Sequence, residues 1–261
     1  MKKIQLYLTL IALVASMACI FKKERPTLYI IGDSTVKNGS GLGRDGMFGW
    51  GSVIPDYFDT TRIHIENHAI GGRSSRTFVT EGRWDKIMAK LKKGDYVIMQ
   101  FGHNDAGAVN DTSRARGTIR GIGDETEEID NMLTKKHEIV HTYGWYIKKY
   151  ITDTKSKGAT AIVCSPVPRN VWKNGKTEQS TNSYTKWAAE CATLEGADFI
   201  NLNERVALKY DASWTEEKLK TAYFTPKDHT HTNYEGAKVN AETVVEGLKD
   251  LKKNKLKKFL K

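Results

Sequence analysis

The stretch YIIGDST, residues 29–35, joins a short apolar run to a glycine, an acid and a hydroxyl. An apolar run of this length, bounded by glycine, predicts a buried strand that ends at Gly32. The polar residues that follow could form an ordinary turn. Alternatively, Ser34 could be a nucleophile held at the rim of a sheet. The other loops of the chain decide between these two interpretations.

Four further apolar runs each predict a strand, and helical or loop segments separate them. Periodic apolar residues predict helices near residues 84–91, 139–151 and 187–194, and a capping-box pattern at 232–235 predicts the start of the last helix. This alternation predicts an α/β fold, a three-layer α/β/α sandwich with a five-stranded parallel sheet of flavodoxin-like type. No repeat or linker divides the chain, so one domain is expected over residues 25–261. The predicted strands are residues 28–31, 63–66, 96–101, 160–164 and 199–202.

The N-terminus has the composition of an export signal. Lys2 and Lys3 precede an apolar region over residues 4–20, and no second apolar span follows. This order predicts a signal peptide over residues 1–20 and an exported protein, periplasmic or at the cell surface. Cys19 follows a small residue and resembles a bacterial lipoprotein cleavage site. Two interpretations of this segment stay open. Either Cys19 carries a lipid anchor, or the segment carries no lipid and is cleaved off or retained.

The formal charge of +10 is concentrated near the two ends of the chain. Residues 249–261 contain seven lysines and one aspartate, so the body of the chain is near neutral. A basic tail on a final helix is usually a solvated face, and we expect a monomer with no nucleic-acid partner. Cys164 and Cys191 could form a disulfide in an exported protein. Two buried free thiols are an equally good interpretation, because one ends a predicted strand and the other lies within a predicted helix.

Polar residues follow the predicted strands at their carboxyl ends, where open parallel sheets bind their ligands. Three of these loops begin with or contain glycine, which lets backbone N–H groups approach a ligand closely. An oxyanion site needs such an approach. The segments are Gly32-Asp33-Ser34, residues 67–74, Gly102-His103-Asn104-Asp105, residues 165–169 and, before the last helix, Asp228-His229-Thr230-His231.

Ser34, Asp228 and His231 have the chemistry of a catalytic triad. A serine hydroxyl becomes nucleophilic when a base removes its proton, and that base needs an acid to orient it. His229 is a rival base, but the Asp-x-x-His spacing favours His231. The backbone N–H groups of Ser34 and Gly72 and the side-chain amide of Asn104 could stabilise a developing oxyanion.

The chain resembles a known family at these positions. GDS at 32–34, the glycine at 72, GHND at 102–105 and DHTH at 228–231 resemble, in order, the four blocks of the SGNH (GDSL) hydrolases. Three longer stretches resemble the rhamnogalacturonan acetylesterase branch of that family, and a segment at 115–132 looks like an insertion. These stretches are GGRSSRTFVTEGRW from residue 71, QFGHND from residue 100 and DHTHTNYEGA from residue 228.

The resemblance implies a mechanism and a substrate. Ser34, Asp228 and His231 would form the triad, and Ser34, Gly72 and Asn104 the oxyanion hole. The family uses no metal or organic cofactor and removes acetyl groups from galacturonic acid units of pectin. Guanidinium groups pair well with the carboxylates of such a polymer, and Arg73, Arg169 and His103 are the expected substrate-binding residues. Arg44, Arg76 and Arg83 also lie in or near the predicted loops.

The segment His137-Glu138-Ile139-Val140-His141 spells H-E-x-x-H on a predicted helix, as in zinc proteases. A third ligand is missing, since Ile147 stands where the longer pattern has histidine, and the sheet architecture differs from that class. We interpret the segment as the polar flank of a helix.

The sequence therefore predicts an exported serine esterase that removes acetyl groups from pectic polysaccharide, foremost rhamnogalacturonan. Two alternatives stay open within the same chemistry: an acetylesterase for another glycan, and a general GDSL lipase or thioesterase. From a different class, the chain could be a surface glycan-binding lipoprotein without catalytic activity.

Overall fold

The computed structural model describes residues 24–226 and 228–261. The expected signal peptide over residues 1–20, including Cys19, lies outside these residues. Within the described ranges, no helix combines the length and the apolar character that crossing a membrane requires.

A five-stranded parallel sheet forms the centre of the fold, with strand order β2-β1-β3-β6-β9. This confirms the predicted α/β architecture. The ends of each predicted strand lie within two residues of the ends of an observed strand. The sheet strands are β1 Thr27–Gly32, β2 His64–Asn67, β3 Tyr96–Gln100, β6 Thr160–Cys164 and β9 Asp198–Ile200. Two antiparallel hairpins add β4 Thr126–Asp130 with β5 His137–His141, and β7 Trp172–Lys173 with β8 Lys176–Thr177.

Helices cover both faces of the sheet and define two hydrophobic cores. Residues of β1 alternate between them, with Leu28 and Ile30 in one core and Tyr29 and Ile31 in the other. The first core is completed by α5 Leu202–Ser213, α6 Glu216–Tyr223 and α7 Tyr234–Asp250. The second is completed by α1 Ser75–Thr80, α2 Arg83–Met88, α3 Tyr143–Ser156 and α4 Tyr184–Leu194.

The two cysteines lie on opposite sides of the sheet. Cys164 belongs to the first core and Cys191 to the second, and both are free thiols. The sheet between them excludes a disulfide. Burial raises the pKa of each thiol to about 12, so neither is a reactive thiolate at neutral pH.

Residues 137–141 form strand β5, so the prediction of a helix there is wrong. Val140 is buried whereas Ile139 is 48% exposed, which is the alternation of a strand with one face covered. Helix α3 begins only at Tyr143, because the Thr142 side chain accepts a hydrogen bond from Trp145 N–H and caps it.

Two further sequence predictions need correction near the C-terminus. Helix α7 is capped by Asn233, whose side chain accepts from Gly236 N–H, whereas the Thr232 hydroxyl donates to the Phe48 carbonyl. Helix α7 ends at Asp250 and does not continue into the lysine-rich tail. The tail folds back along the body instead, and its Phe259 carbonyl accepts from Asp59 N–H.

Arg76 fastens the β4–β5 hairpin to the body of the domain. Its fully buried guanidinium donates to both carboxylate oxygens of Glu138, at 2.6 and 2.7 Å, and to the carbonyls of Val109 and Gly117. Glu138, the glutamate of the H-E-x-x-H segment, therefore serves as the partner of a buried cation.

Replacing Arg76 with Ala leaves Glu138 as a largely buried carboxylate without its cation. We therefore expect the free energy of unfolding, measured by urea denaturation, to fall by about 3–5 kcal/mol. The matched control is Arg83→Ala, because Arg83 pairs with Glu81 at the surface. An exposed pair of this kind contributes less than about 1 kcal/mol. Equal losses in the two variants would contradict the anchoring role of Arg76.

Candidate active site

Ser34 lies in a tight turn directly after β1. The Asp33 carbonyl accepts from the N–H groups of Val36 and Lys37, and the Asp33 carboxylate accepts from Thr35. A Cβ at Gly32 would lie 2.6 Å from both the Gln100 carbonyl oxygen and a Val36 methyl group. Only glycine fits there, so the turn lies close against the neighbouring strand and holds Ser34 at the carboxyl edge of the sheet.

Ser34, His231 and Asp228 form a continuous chain of hydrogen bonds. His231 Nε2 lies 2.7 Å from Ser34 Oγ, and His231 Nδ1 lies 2.5 Å from Asp228 Oδ2. An ionised carboxylate only accepts hydrogen bonds, so it selects the tautomer with hydrogen on Nδ1. Nε2 is then free to accept the Ser34 proton.

The surroundings of Asp228 keep its carboxylate ionised. Burial acts to raise the pKa of Asp228, but hydrogen bonds from the His231 ring and from the N–H groups of Thr230 and His231 outweigh it and lower that pKa. His229, the rival base, is exposed, and its side chain makes no hydrogen bond with the described residues. Its carbonyl accepts from Asn170 N–H, so it has a backbone role.

Gly72 and Asn104 lie beside Ser34 on the wall of one cavity, together with Asp228 and His231. Gly72 has φ of 80°, a left-handed conformation that favours glycine, and Arg116 holds its carbonyl at 3.0 Å. The N–H groups of Ser34 and Gly72 make no hydrogen bond with other described residues. The Asn104 amide donates one hydrogen to the Arg73 carbonyl and has a second available. These three donors beside Ser34 are thus not used up by the described residues.

His103 does not have a free ring nitrogen to offer a substrate. Its Nδ1 lies 3.1 Å from Asp33 Oδ2 and its Nε2 lies 2.9 Å from the Val167 carbonyl, and its side chain is 6% exposed. Burial acts to raise the pKa of Asp33, but the charge of His103 and hydrogen bonds from His103 and Thr35 hold it below its usual value. We therefore replace the expectation of substrate binding by His103 with a role in joining loops.

The arginines at the site are only in part those singled out in the sequence. Arg73 is tied to Glu81 and to the Gly71 carbonyl and does not line the cavity of Ser34, which corrects its expected contact with substrate. Arg169 does line it and donates to the Thr230 hydroxyl. Sequence reasoning missed Arg114 and Arg116, because they stand at the edge of the segment that looked like an insertion. The arginines of the cavity wall are Arg44, Arg114, Arg116 and Arg169.

Nothing in the described ranges 24–226 and 228–261 forms a metal site from three or more His, Cys, Asp or Glu side chains. His137 is paired with Asp130 across the hairpin, and His141 stacks on Trp145 at 3.8 Å between ring centroids. The H-E-x-x-H segment is therefore part of the hairpin structure.

A parallel sheet with a serine, a histidine and an aspartate joined by hydrogen bonds at its carboxyl edge is the arrangement of serine hydrolases. Residues 30–239 match the GDSL-like Lipase/Acylhydrolase family, and the chain belongs to that family. This confirms the resemblance stated from the four sequence blocks. The chain is a carboxylic ester hydrolase.

Relatives with curated names support this assignment. A rhamnogalacturonan acetylesterase of Emericella nidulans is 34% identical over 85% of this chain and 84% of its own length. A probable rhamnogalacturonan acetylesterase of Bacillus subtilis is 31% identical over 86% of this chain and 93% of its own length.

Solved structures confirm the fold. The YxiM protein of Bacillus subtilis superposes with a TM-score of 0.69 at 25% identity, over 87% of this chain. The match spans 56% of the length of that protein. An acetylxylan esterase of Geobacillus stearothermophilus has the same fold, with a TM-score of 0.56 at 16% identity over 85% of this chain and 93% of its own.

Asp105 is a buried carboxyl beneath the Asn104 loop. Its Oδ1 accepts from the Ser75 hydroxyl at 2.5 Å and from Ser75 N–H at 3.1 Å, which joins this loop to the start of α1. Burial raises the pKa of Asp105 to about 7 despite these two donors. The group is therefore protonated in acid and ionised in base within the folded chain.

Asp105 makes the stability of the domain fall with rising pH. The folded chain holds the Asp105 proton up to about pH 7, whereas its ordinary pKa is 3.8. Its contribution to stability is complete below 3.8 and is lost as the pH rises through 7. We expect the free energy of unfolding to decline between about pH 5 and about pH 8 less steeply in Asp105→Asn than in the wild type.

The control is Asp111→Asn, since backbone hydrogen bonds lower the pKa of half-buried Asp111 to about 2, outside this range. Urea titrations at several pH values give the slopes. An unchanged slope in Asp105→Asn would contradict the assignment.

Proposed function

We propose that this protein is a serine esterase that removes O-acetyl groups from pectic polysaccharide, foremost rhamnogalacturonan. The single observation that carries the proposal is the hydrogen-bonded chain from Asp228 through His231 to Ser34, at the wall of a cavity rich in arginine. The named activities of the relatives point in the same direction.

The reaction begins when Ser34 Oγ attacks the acetyl carbonyl carbon and His231 Nε2 takes the hydroxyl proton. Asp228 stabilises the imidazolium that forms. The carbonyl oxygen becomes an oxyanion, which the N–H groups of Ser34 and Gly72 and the Asn104 amide can stabilise. Each such donor contributes about 3–4 kcal/mol to the lowering of the barrier.

Collapse of the tetrahedral intermediate breaks the bond to the sugar oxygen. His231 returns the proton to that oxygen, so the sugar leaves as an alcohol and the acetyl group stays on Ser34. A water molecule then gives its proton to His231 and attacks the acetyl carbon. The second collapse releases acetate and restores the Ser34 hydroxyl.

The cavity wall favours a charged carbohydrate over a lipid. Four arginines line it, whereas Met47 and Ile70 are its large apolar side chains. A long acyl chain requires more apolar surface than this, and an acetyl group requires little. Guanidinium groups pair with carboxylates, so a uronic acid polymer fits this wall better than a neutral glycan such as xylan.

The decisive experiment measures acetate released from acetylated rhamnogalacturonan, with acetylated xylan and 4-nitrophenyl acetate in parallel. We expect the pectic polymer to be the best polysaccharide substrate. Ser34→Ala and His231→Ala should each lower kcat by at least about a thousandfold. His229→Ala is the matched control and should keep the wild-type rate, since its side chain is exposed and outside the hydrogen-bonded chain.

Three outcomes would count against the proposal. Preferential release from xylan would keep the serine chemistry and overturn the substrate. A loss in His229→Ala equal to that in His231→Ala would overturn the assigned base. No turnover of any acetyl ester would favour the alternative of a glycan-binding protein.

We also propose export to the periplasm or cell surface with a lipid on Cys19. The support is the order of the N-terminal sequence, two lysines and then an apolar region that reaches Cys19. In a detergent phase-separation assay, the mature protein should enter the detergent phase and Cys19→Ala should stay in the aqueous phase. Identical partition of the two proteins would remove the lipid from the proposal.

A further inference from the structure

A second cavity continues from the cavity of Ser34 along the carboxyl edge of the sheet. It has a volume of about 490 Å³ and shares His103 and Arg169 with the first cavity. The first cavity lies over the loops after β1, β2 and β3, and the second over the loops after β3 and β6 and the start of α4. The two cavities are therefore neighbours along this edge, with His103 and Arg169 on the wall that they share.

The wall of the second cavity is built for a polar ligand. The segment 179–183 supplies hydroxyl and amide side chains, and Pro166 and Pro168 supply rigid apolar surface. Sugars present both kinds of surface, hydroxyls around a ring with apolar C–H faces. A binding tunnel for an acyl chain would instead be lined by apolar side chains throughout.

Arg120 gives this cavity an unpaired positive charge. It is exposed on the cavity wall and lies 5.7 Å above the ring of Trp187, which positions its guanidinium. It makes no ion pair or side-chain hydrogen bond with the residues at 24–226 and 228–261. Arg169 is the second cation of the wall, and exposed Glu178 is its one carboxylate among the described residues.

Tyr184 has an unsatisfied polar group at the same place. Its side chain lines the cavity and is 8% exposed, and its hydroxyl has no hydrogen-bond partner among the described residues. Burial raises the pKa of Tyr184 to about 12, and the charge of Arg120 acts against this rise, so the phenol stays protonated at neutral pH. A buried hydroxyl without a partner is unfavourable, and a ligand that pairs with it removes that cost.

We propose that this second cavity is a subsite for a uronic acid unit of the polymer whose acetylated unit lies at Ser34. Arg120 pairs with the uronate carboxylate, and Tyr184 pairs with a sugar oxygen. This inference rests on the proposed function and adds the residues that select an acidic chain on one side of the scissile ester.

The kinetic test compares acetylated rhamnogalacturonan with 4-nitrophenyl acetate, which is too small to reach the subsite. In Arg120→Gln, the ratio of kcat/KM on the polymer to that on the small ester should fall about tenfold, through a higher KM. Arg120→Lys should restore part of the ratio. The matched control is Arg62→Gln, an exposed arginine near Phe259 that lines neither cavity, and it should leave the ratio unchanged.

The carboxylate is tested with a polymer whose uronates have been reduced to alcohols while the acetyl groups are kept. On this substrate, Arg120→Gln and the wild type should have the same KM. A persistent difference, or an unchanged KM of Arg120→Gln on the native polymer, would overturn the assigned pairing.

A binding measurement separates this inference from the proposed function. Ser34→Ala should bind an unacetylated oligogalacturonate in calorimetry, and adding Arg120→Gln should weaken that binding about tenfold. This result supports the subsite whether or not acetate is released from the pectic polymer. Failure to release acetate would count against the proposed function and not against the subsite. Absence of binding, or equal binding by the two proteins, overturns the subsite.

Tyr184→Phe distinguishes ligand binding from a structural role. Because the hydroxyl has no protein partner, its removal should leave the free energy of unfolding unchanged or raise it, while oligogalacturonate binding weakens. A loss of stability with unchanged binding would show that the hydroxyl belongs to the fold and would remove Tyr184 from the subsite.

Discussion

A buried chain of hydrogen bonds from Asp33 through His103 to the Val167 carbonyl joins the loops that follow three adjacent strands. The Asp33 carboxylate and the Val167 carbonyl are both acceptors, and the His103 ring lies between them. Ser34 follows Asp33 and Asn104 follows His103 along the chain. These two buried hydrogen bonds therefore fix together the positions of the proposed nucleophile and of a proposed oxyanion donor.

The arginines of the chain differ in whether other residues of the protein occupy their guanidinium groups. Arg76 has its guanidinium saturated by Glu138 and two carbonyls, and it is inaccessible. Arg73 is held by Glu81. Arg120 and Arg169 line cavities without a carboxylate partner among the described residues. An accessible guanidinium without a carboxylate partner is therefore the feature on which the proposed roles of Arg120 and Arg169 depend.

Much of the fold followed from local pattern, because β1, β3 and β6, at the centre of the sheet, are short and largely apolar. The errors came where two periodicities overlapped. Ile139, Val140 and Tyr143 fit a helical repeat, but the cap at Thr142 and the pairing with β4 start the helix later. Likewise, Thr232 and Asn233 are both suitable helix-capping residues. The Thr232 hydroxyl donates a hydrogen bond to the Phe48 carbonyl, so Asn233 caps the helix. In both cases, a residue far away in the sequence decides where the helix begins, and the spacing of neighbouring residues gives no information about that residue.

By itself, the sequence determined the α/β architecture and placed Ser34, Gly72, Asn104 and the Asp-x-x-His segment at one edge of the sheet. It could do so because parallel strands bring their carboxyl ends to a common edge whatever the details of packing. The tertiary structure decided which polar side chains stay free there. The side chains of His103 and Arg73 form hydrogen bonds within the protein. Arg116 and Arg120, which belong to a segment that looked like an insertion, line the cavity walls instead. Whether a polar group meets a protein partner or a ligand depends on residues far away in the chain, and folding alone brings those residues together.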